Sequence, residues 1–302
     1  MSTTDLILAV DGGGTKTRAA LTKADGTPLG ELVGGPCNLF QDPAAGLAEI
    51  RVLWQRLAAA AGIDPEAATA RTVLSAGLAG ANAPGSRARF DAAFPDFAVR
   101  HLSTDGYTTL LGATDGRPGG LLAIGTGVVG YRLHRDGRLQ KLSGWGFPVG
   151  DRGSGAWLGW RAIGDWLETR DGYGERAESL IWPKLEATLG HTTGDILGWL
   201  KTARPAEFAS LAPLVIEAAE GGDAEGRALL DQAAAHHCRL AAAMTPSAAE
   251  KLVLAGGLAP VFRQALEQVL GDALAGAGRT ASPLDGARLI ALGRNPAEFQ
   301  PS

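Results

Sequence analysis

Two short motifs rich in glycine and threonine have the composition of phosphate-binding turns. The first, Asp11-Gly-Gly-Gly-Thr15, follows the apolar run Leu6–Val10. The second, Gly125-Thr126-Gly127, follows the apolar run Leu121–Ile124. A strand that ends in a glycine-rich turn exposes backbone N–H groups, which can bind phosphate oxygens. A third segment, residues 144–155, contains five glycines. Together the three segments predict a protein that binds a nucleotide and delivers its phosphate.

The first turn carries a carboxylate beside its glycines. A carboxylate next to a triphosphate would be repelled unless a cation lay between them, so Asp11 is predicted to organise Mg²⁺ through water. Gly13, Gly14 and Thr15 would bind phosphate, whereas Lys16 either contacts phosphate or is a solvated charge. The alternative is an Asx-turn that only stabilises a tight loop. The motif is neither a Walker A loop, which needs a Gly-Lys-Ser/Thr sequence, nor a dinucleotide fingerprint, which leads into a helix.

Asp105 is the candidate catalytic residue. It follows the predicted strand Phe97–Leu102 and precedes a predicted helix. Phosphoryl transfer to an alcohol needs a group that accepts the hydroxyl proton and positions the hydroxyl. A carboxylate at the carboxyl end of a strand suits both tasks. Alternatively, Asp105 is a helix N-cap, because Ser103-Thr104-Asp105 before a helix is favourable capping chemistry.

The glycine-rich segment 144–155 allows two interpretations. Such a loop either follows one special backbone path or lets a ligand approach closely. Asp151 would then accept hydrogen bonds from sugar hydroxyls, and Trp145 would offer an apolar face. Alternatively, Asp151 caps the helix that begins near Ser154, and Trp145 belongs to the core. Gly256-Gly257, after a late strand, either lets an adenine or ribose lie on the backbone or forms an ordinary strand-to-helix turn.

The chain repeats one order of elements. Each half opens with a predicted β-β-β unit that has a phosphate-type turn after its first strand. Ten residues separate Thr15 from Asp25, and ten separate Thr126 from Asp136, where each aspartate begins an Asp-Gly turn. This repetition predicts an α/β protein with two similar domains. The alternative is two unrelated hairpins with common turn chemistry.

The predicted domains are residues 1–114 and residues 115–286, the second with a helical insertion over much of 156–250. The last helix, about residues 287–302, is predicted to pack back onto the first domain. No linker rich in serine or proline separates the halves, so a short hinge is expected near residues 112–119, where several glycines cluster.

Composition excludes several classes of protein. The chain has 302 residues, 45% of them hydrophobic, and a formal net charge of −4. A negative balance argues against non-specific nucleic-acid binding, and no stretch approaches the ~18 consecutive apolar residues that span a bilayer. The N-terminus lacks the basic region of a signal peptide, so a cytoplasmic location is expected. Cys37 and Cys238 are interpreted as small hydrophobes, and His236-His237 as helix-surface or core residues.

Together these motifs resemble those of the BadF/BadG/BcrA/BcrD group of ATPases and, within it, the bacterial glucosamine kinases and N-acetylglucosamine kinases. The resemblance covers nearly the whole chain. The motifs that carry it are Asp11-Gly-Gly-Gly-Thr15, Gly77-Leu-Ala-Gly-Ala81, Ser103-Thr-Asp105, Gly125-Thr-Gly127, the segment Gly144–Ser154 and Ala255-Gly-Gly257. The resemblance implies an actin/hexokinase-type fold, in which two ribonuclease-H-like domains surround a cleft that closes on substrate.

The resemblance also implies roles for single residues. Asp105 would be the base that activates a sugar 6-hydroxyl. The ATP- and phosphate-binding residues would be Gly13, Gly14, Thr15, Lys16, Gly125, Thr126, Gly127, Gly256 and Gly257. The sugar-binding residues would be Asn38, Asp105, Trp145, Gly146 and Asp151.

Three positions depart from the family pattern. Val128 stands where relatives often carry serine, which puts one polar contact in doubt. Arg152 replaces a common glutamate or glutamine, and Gly106 stands where alanine is usual.

The activity that the resemblance implies is an ATP- and Mg²⁺-dependent kinase that phosphorylates the 6-hydroxyl of glucosamine. The alternative acceptor is N-acetylglucosamine or a related amino sugar. A hypothesis from another class is a sugar sensor or ATPase activator on the same fold. The iron–sulfur activators of this group hold their cluster with cysteine thiolates, and Cys37 and Cys238 do not form such a motif. A homodimer with no nucleic-acid or membrane partner is expected.

Overall fold

The structure is a computed structural model that describes residues 4–175, 178–244, 250–276 and 282–294. The chain divides into two compact units. The first contains the described residues within Met1–Pro118, Leu133–Gln140 and Ala277–Ser302, and the second those within Gly119–Arg132 and Lys141–Gly276. The predicted domain limits at residues 114 and 286 stay a prediction.

The first sheet has the strand order β3-β2-β1-β4-β5. Its strands are β1 (Leu6–Gly12), β2 (Thr17–Lys23), β3 (Pro28–Gly34), β4 (Thr72–Leu78) and β5 (Val99–Ser103). β1 and β2 are antiparallel, as are β2 and β3, whereas β4 is parallel to both β1 and β5. The helices of this unit are α1 (Pro43–Ala60), α2 (Pro65–Ala68), α3 (Ser86–Ala93), α4 (Asp105–Thr114) and, late in the chain, α12 (Pro283–Ala291).

The second sheet has the order β8-β7-β6-β9. Its strands are β6 (Gly119–Ile124), β7 (Val128–Leu133), β8 (Leu139–Ser143) and β9 (Leu252–Ala255), and β9 runs parallel to β6. The helices that follow are α5 (Gly155–Arg170), α6 (Trp182–Leu189), α7 (Thr193–Thr202), α8 (Pro205–Ala209), α9 (Ala212–Glu220), α10 (Ala224–Met244) and α11 (Ala259–Leu270). In both sheets the first strand lies between its hairpin neighbour and a later parallel strand, which confirms the predicted repetition.

The first unit has a core between its sheet and α1. Apolar residues recur at helical spacing along α1, and the residues at these positions are buried: Leu47, Ile50, Leu53, Trp54 and Leu57. The Trp54 ring meets the Phe97 ring edge-on at 5.4 Å between centroids. Burying a large apolar side chain contributes about 1.5–3 kcal/mol, so this face holds α1 against the sheet and leaves the strand ends free for polar residues.

Helix α12 packs on α4 through two glycines. A Cβ on Gly112 would overlap the carbonyl group of Ser282, and a Cβ on Gly286 would overlap that of Thr108. Only glycine allows the two helix backbones to approach this closely. Gly112 was expected to belong to a hinge, and that expectation is wrong, because it lies inside α4 and serves this contact. The predicted packing of the last helix involves residues 283–291; residues 295–302 lie outside the described residues.

The second unit has its own core. Leu122, Ile124 and Val128 from its sheet pack with Leu158 of α5 and Leu229 of α10. The predicted helical character of residues 156–250 is confirmed for the part of that range that the structure describes. Within the described residues, no helix is both long enough and apolar enough to span a membrane.

Candidate active site

The first glycine turn lies at the carboxyl end of β1. The N–H of Gly13 donates to the carbonyl of Lys16 at 3.1 Å, and the N–H of Cys37 donates to the carbonyl of Gly13 at 2.9 Å. Gly14, Thr15 and Lys16 are exposed. The turn is therefore fixed at its base by backbone bonds, and its tip is open to a ligand.

Three parallel strands bring the two predicted carboxylates to one edge of the first sheet. Asp11 of β1 pairs in register with Gly77 of β4, and Gly77 pairs with Ser103 of β5. Two residues after Ser103 comes Asp105, the first residue of α4. A Cβ on Gly77 would overlap the Thr108 side chain, so this glycine lets α4 lie close to the strand ends.

Asp105 is not the N-cap of α4. Thr104 is the cap, and its side-chain hydroxyl accepts a hydrogen bond from the N–H of Tyr107 at 3.2 Å. The Oδ1 atom of Asp105 accepts the N–H of Gly106 at 2.9 Å. The capping interpretation of Asp105 is therefore wrong, since its neighbour performs that task.

Asp11 and Asp105 interact electrostatically. The pKa of Asp11 is raised to about 6, first by burial and then by the negative charge of Asp105, against the opposing charges of Arg18 and Lys16. Two carboxylates that share a site make ionisation of one of them unfavourable. A divalent cation bound there would relieve both the burial of the charge and the repulsion, so these residues fit Mg²⁺. No group of three or more His, Cys, Asp or Glu side chains suited to a metal occurs among the described residues, and Mg²⁺ is commonly held by one or two carboxylates plus phosphate and water.

Asn38 lies beside the first turn. Its Oδ1 atom accepts the N–H groups of Phe40 at 2.9 Å and Gln41 at 3.3 Å, which forms an Asx-type loop. The Nδ2 atom points toward Gly14, since a Cβ on that glycine would be 3.8 Å away. The side-chain oxygen of Asn38 therefore supports the loop, and the amide nitrogen is the part that faces the candidate phosphate turn.

The second glycine turn is joined to the start of α5. The N–H of Gly125 donates to the carbonyl of Gly127 at 2.9 Å. From α5, the N–H of Gly155 donates to the carbonyl of Gly125 at 2.8 Å, and that of Ala156 donates to the carbonyl of Thr126 at 3.2 Å. Thr126 itself is exposed. The turn therefore has a fixed backbone and an accessible threonine.

Asp151 contacts the second turn directly. Its Oδ1 atom accepts the N–H of Val128 at 3.3 Å, and a Cβ on Gly127 would lie 2.7 Å from its Oδ2 atom. The residue has a φ of 56°, an unusual conformation for a non-glycine residue. The helix that follows is capped by Ser154, whose hydroxyl accepts the N–H of Trp157 at 3.1 Å. The interpretation of Asp151 as that cap is therefore wrong.

The aromatic part of the 144–155 loop divides into an exposed and a packed residue. Trp145 is 87% exposed, so the interpretation that it belongs to the core is wrong. Phe147 instead packs against the rings of Phe208 at 5.1 Å and Trp160 at 6.4 Å. Gly146 has a φ of 87°, and its carbonyl accepts the N–H of Gly150 at 2.7 Å.

The glycine pair after β9 has two different environments. Gly256 has a φ of 90°, and a Cβ there would overlap the carbonyl group of Ile124. Gly257 has no atom within 4 Å of its hypothetical Cβ among the described residues. Gly256 therefore has a packing reason to be glycine, whereas the space beside Gly257 is open to a ligand.

Two of the residues that differ from the family pattern, Val128 and Arg152, lie in the second unit. Val128 is buried in the core of that unit, while its backbone N–H holds Asp151. Arg152 is exposed and lies near His236, whose pKa it helps to lower after burial and Arg239. No sequence pattern indicated the contact between His237 of α10 and the loop. The Nε2 atom of His237 lies within hydrogen-bond distance of the Gly153 carbonyl, although the two residues are 84 positions apart.

Comparison with protein families decides the relationship. The model of the BadF/BadG/BcrA/BcrD ATPase family matches residues 8–287. The chain belongs to this family. Among its relatives, glucosamine kinase GspK of Vibrio cholerae is 30% identical over 278 residues, which cover 89% of this chain and 93% of the relative.

Two solved structures resemble the present one. The first, from Chromobacterium violaceum and provisionally named an N-acetylglucosamine kinase, has 35% identity and a TM-score of 0.84, and covers 96% of this chain and 100% of that one. The second, the ROK hexokinase of Thermus thermophilus, has 16% identity and a TM-score of 0.56 over 94% and 97% of the chains, and it bears on the fold alone. The predicted actin/hexokinase-like α/β fold is confirmed.

Proposed function

We propose that this member of the family is an ATP- and Mg²⁺-dependent kinase that transfers the γ-phosphoryl group of ATP to the 6-hydroxyl of glucosamine. The observation that carries the proposal is the pairing of Asp11 and Asp105 at the carboxyl edge of the first sheet. A sugar hydroxyl fits this chemistry as the phosphoryl acceptor, because a neutral alcohol needs a carboxylate that orients it and accepts its proton. The glucosamine kinase that shares 30% identity over 93% of its length supports the choice of acceptor.

In this proposal Asp105 orients the acceptor hydroxyl and accepts its proton as the new P–O bond forms and the bond to ADP breaks. Asp11 would hold Mg²⁺, and the ion would neutralise negative charge on the phosphates. The amides and threonines of both glycine turns, with Lys16, stabilise the negative charge on the transferring group. Gly256 and Gly257 lie beside the nucleoside. Asn38, Trp145, Gly146 and Asp151 contact the sugar.

N-acetylglucosamine is the second candidate acceptor. The structural relative from Chromobacterium violaceum favours it, because the 35% identity extends over that entire chain. The two acceptors differ at position 2 of the sugar, where glucosamine carries an amine and N-acetylglucosamine an acetamide. Steady-state kinetics with glucosamine, N-acetylglucosamine, N-acetylmannosamine and glucose, read by ADP release and by phosphorus NMR of the product, ranks the acceptors.

The deciding experiment is Asp105→Asn in the full chain. Loss of the base should lower kcat by about 10²–10⁴-fold and leave sugar binding largely unchanged. Asp171→Asn, at an exposed carboxylate that ends α5, is the matched control and should keep full turnover. Unchanged turnover in Asp105→Asn would sink the assignment of Asp105 as the base, whereas sugar binding without sugar-dependent ADP release by the wild type would favour a sugar sensor or ATPase activator. The homodimer and the cytoplasmic location stay predictions, and light scattering tests the first of them.

A further inference from the structure

A buried histidine holds the 144–155 loop from a distant helix. His237 of α10 has no exposed surface, and its Nε2 atom lies 3.1 Å from the carbonyl oxygen of Gly153. Because a carbonyl can only accept, Nε2 carries the hydrogen and donates it. The Nδ1 atom has no hydrogen-bond partner among the described residues, and burial lowers the pKa of this side chain to about 4. At neutral pH the ring is a neutral donor in one tautomer.

Gly153 is shaped to receive this ring. It has a φ of 82°, and a Cβ there would lie 2.7 Å from the Cε1 atom of His237 and 2.8 Å from its Nε2 atom. On another side the ring packs against Phe262 of α11, with 4.6 Å between centroids. The ring therefore has little freedom to turn, and the position of its N–H is set by the core of the second unit.

The residues that flank Gly153 lead to the second phosphate turn from both directions. On one side, the Asp151 carboxylate accepts the N–H of Val128. On the other side, Ser154 caps α5, and the next two N–H groups donate to the carbonyls of Gly125-Thr126. A displaced Gly153 would therefore shift both the candidate sugar ligand and the candidate phosphate turn.

We propose that His237 is a positioning residue for phosphoryl transfer, which acts through the carbonyl of Gly153 to hold Asp151 and the turn Gly125–Gly127 in the reactive arrangement. This inference rests on the function proposed above. His237 itself is too buried to touch a substrate. A histidine that served only the core would affect the stability of the fold and leave the kinetics of the folded enzyme unchanged.

The first test compares two substitutions at this position. His237→Gln keeps an N–H donor where Nε2 stands, whereas His237→Leu fills similar space without a donor. We expect His237→Leu to lower kcat/KM for the sugar by about 10–100-fold, because small displacements of reacting groups have effects of that size. His237→Gln should recover most of the loss. His236→Gln, one residue away and half-buried, is the control. Equal kcat/KM for the leucine and glutamine variants, both folded by circular dichroism, would overturn the inference.

The second test does not depend on which sugar is used. Hydrogen exchange should be about fivefold faster at the Val128 amide and across residues 151–156 in His237→Leu, since one lost hydrogen bond is worth about 1 kcal/mol. Exchange in β1 should be unchanged. If the wild type phosphorylates no sugar, the proposed function fails while this measurement still decides whether His237 holds the loop. Unchanged exchange at Val128 would refute the positioning role even in an active enzyme.

Discussion

Replacing Asp11 by asparagine should stabilise the ligand-free protein at neutral pH while it abolishes turnover. The pKa of Asp11 is raised from 3.8 to about 6, mainly by burial, so the native state binds this proton more tightly than the unfolded chain does. Stability then falls as pH rises from about 4 to 6, because the native state holds more protons than the unfolded state over that window. Above pH 6 the Asp11 carboxylate is ionised in both states, and the full destabilisation from burying its charge is present.

The expected change in the free energy of unfolding follows from the size of the pKa shift of Asp11. A change from 3.8 to about 6 corresponds to roughly 3 kcal/mol at about 1.36 kcal/mol per pKa unit. Part of Asp11 is exposed, so solvent screening reduces this energy. We therefore expect Asp11→Asn to raise the free energy of unfolding by about 1–2 kcal/mol at pH 7.5. In a unit of this size that gain raises the melting temperature by about 2–8 °C.

The assay is differential scanning fluorimetry without nucleotide or Mg²⁺ at pH 4, 5, 6 and 7.5. The difference between Asp11→Asn and wild type should be largest at pH 7.5 and should vanish near pH 4. The control is Asp25→Asn, an exposed turn carboxylate that accepts the N–H of Thr27 at 2.8 Å and whose pKa is lowered mainly by that bond. Its removal should give no gain at any pH. A destabilised Asp11→Asn, or a gain that does not change with pH, would refute the reasoning.

Two further predictions concern glycines that lie against other groups. Gly127→Ala should lower turnover more than tenfold, because its Cβ would lie 2.7 Å from Oδ2 of Asp151. The control Gly125→Ala, whose Cβ meets no atom within 4 Å, should retain the melting temperature of the wild type. A Gly127→Ala enzyme with full turnover would contradict the contact with Asp151. Gly112→Ala should destabilise the first unit by about 1–3 kcal/mol through overpacking between α4 and α12. The matched Gly164→Ala, at an exposed open site in α5, should instead gain about 0.5–1 kcal/mol. Chemical denaturation measures both, and equal effects would disprove the close helix contact.

The strands and the two phosphate-type turns could be predicted from sequence because their signals are local. The apolar runs Leu6–Val10 and Leu121–Ile124 lie within β1 and β6, which end at Gly12 and Ile124. The choice between Thr104 and Asp105 as helix cap could not be made, since both residue types cap well and the start of the helix can shift by one residue without changing the pattern.

Contacts between residues that are far apart in the sequence could not be predicted from local sequence patterns. Nothing in the composition of the 144–155 loop indicates that Asp151 accepts the N–H of Val128, since the two are 23 positions apart. The same holds for His237 and Gly153. Gly112 was assigned to a hinge because clustered glycines usually mark flexibility, whereas its role depends on a helix that arrives much later in the chain.

The strand order of the first sheet also sets the spacing between the strand that carries Asp11 and the strand that leads to Asp105. β4 stands between β1, which carries Asp11, and β5, which leads to Asp105. Neighbouring strands lie about 4.8 Å apart, so the two backbones are separated by roughly 10 Å. Under the proposed function, the residue for the metal and the residue for the proton therefore follow two different strands, and a side chain at Gly77, on the strand between them, would press on Thr108 of the helix that begins with Asp105.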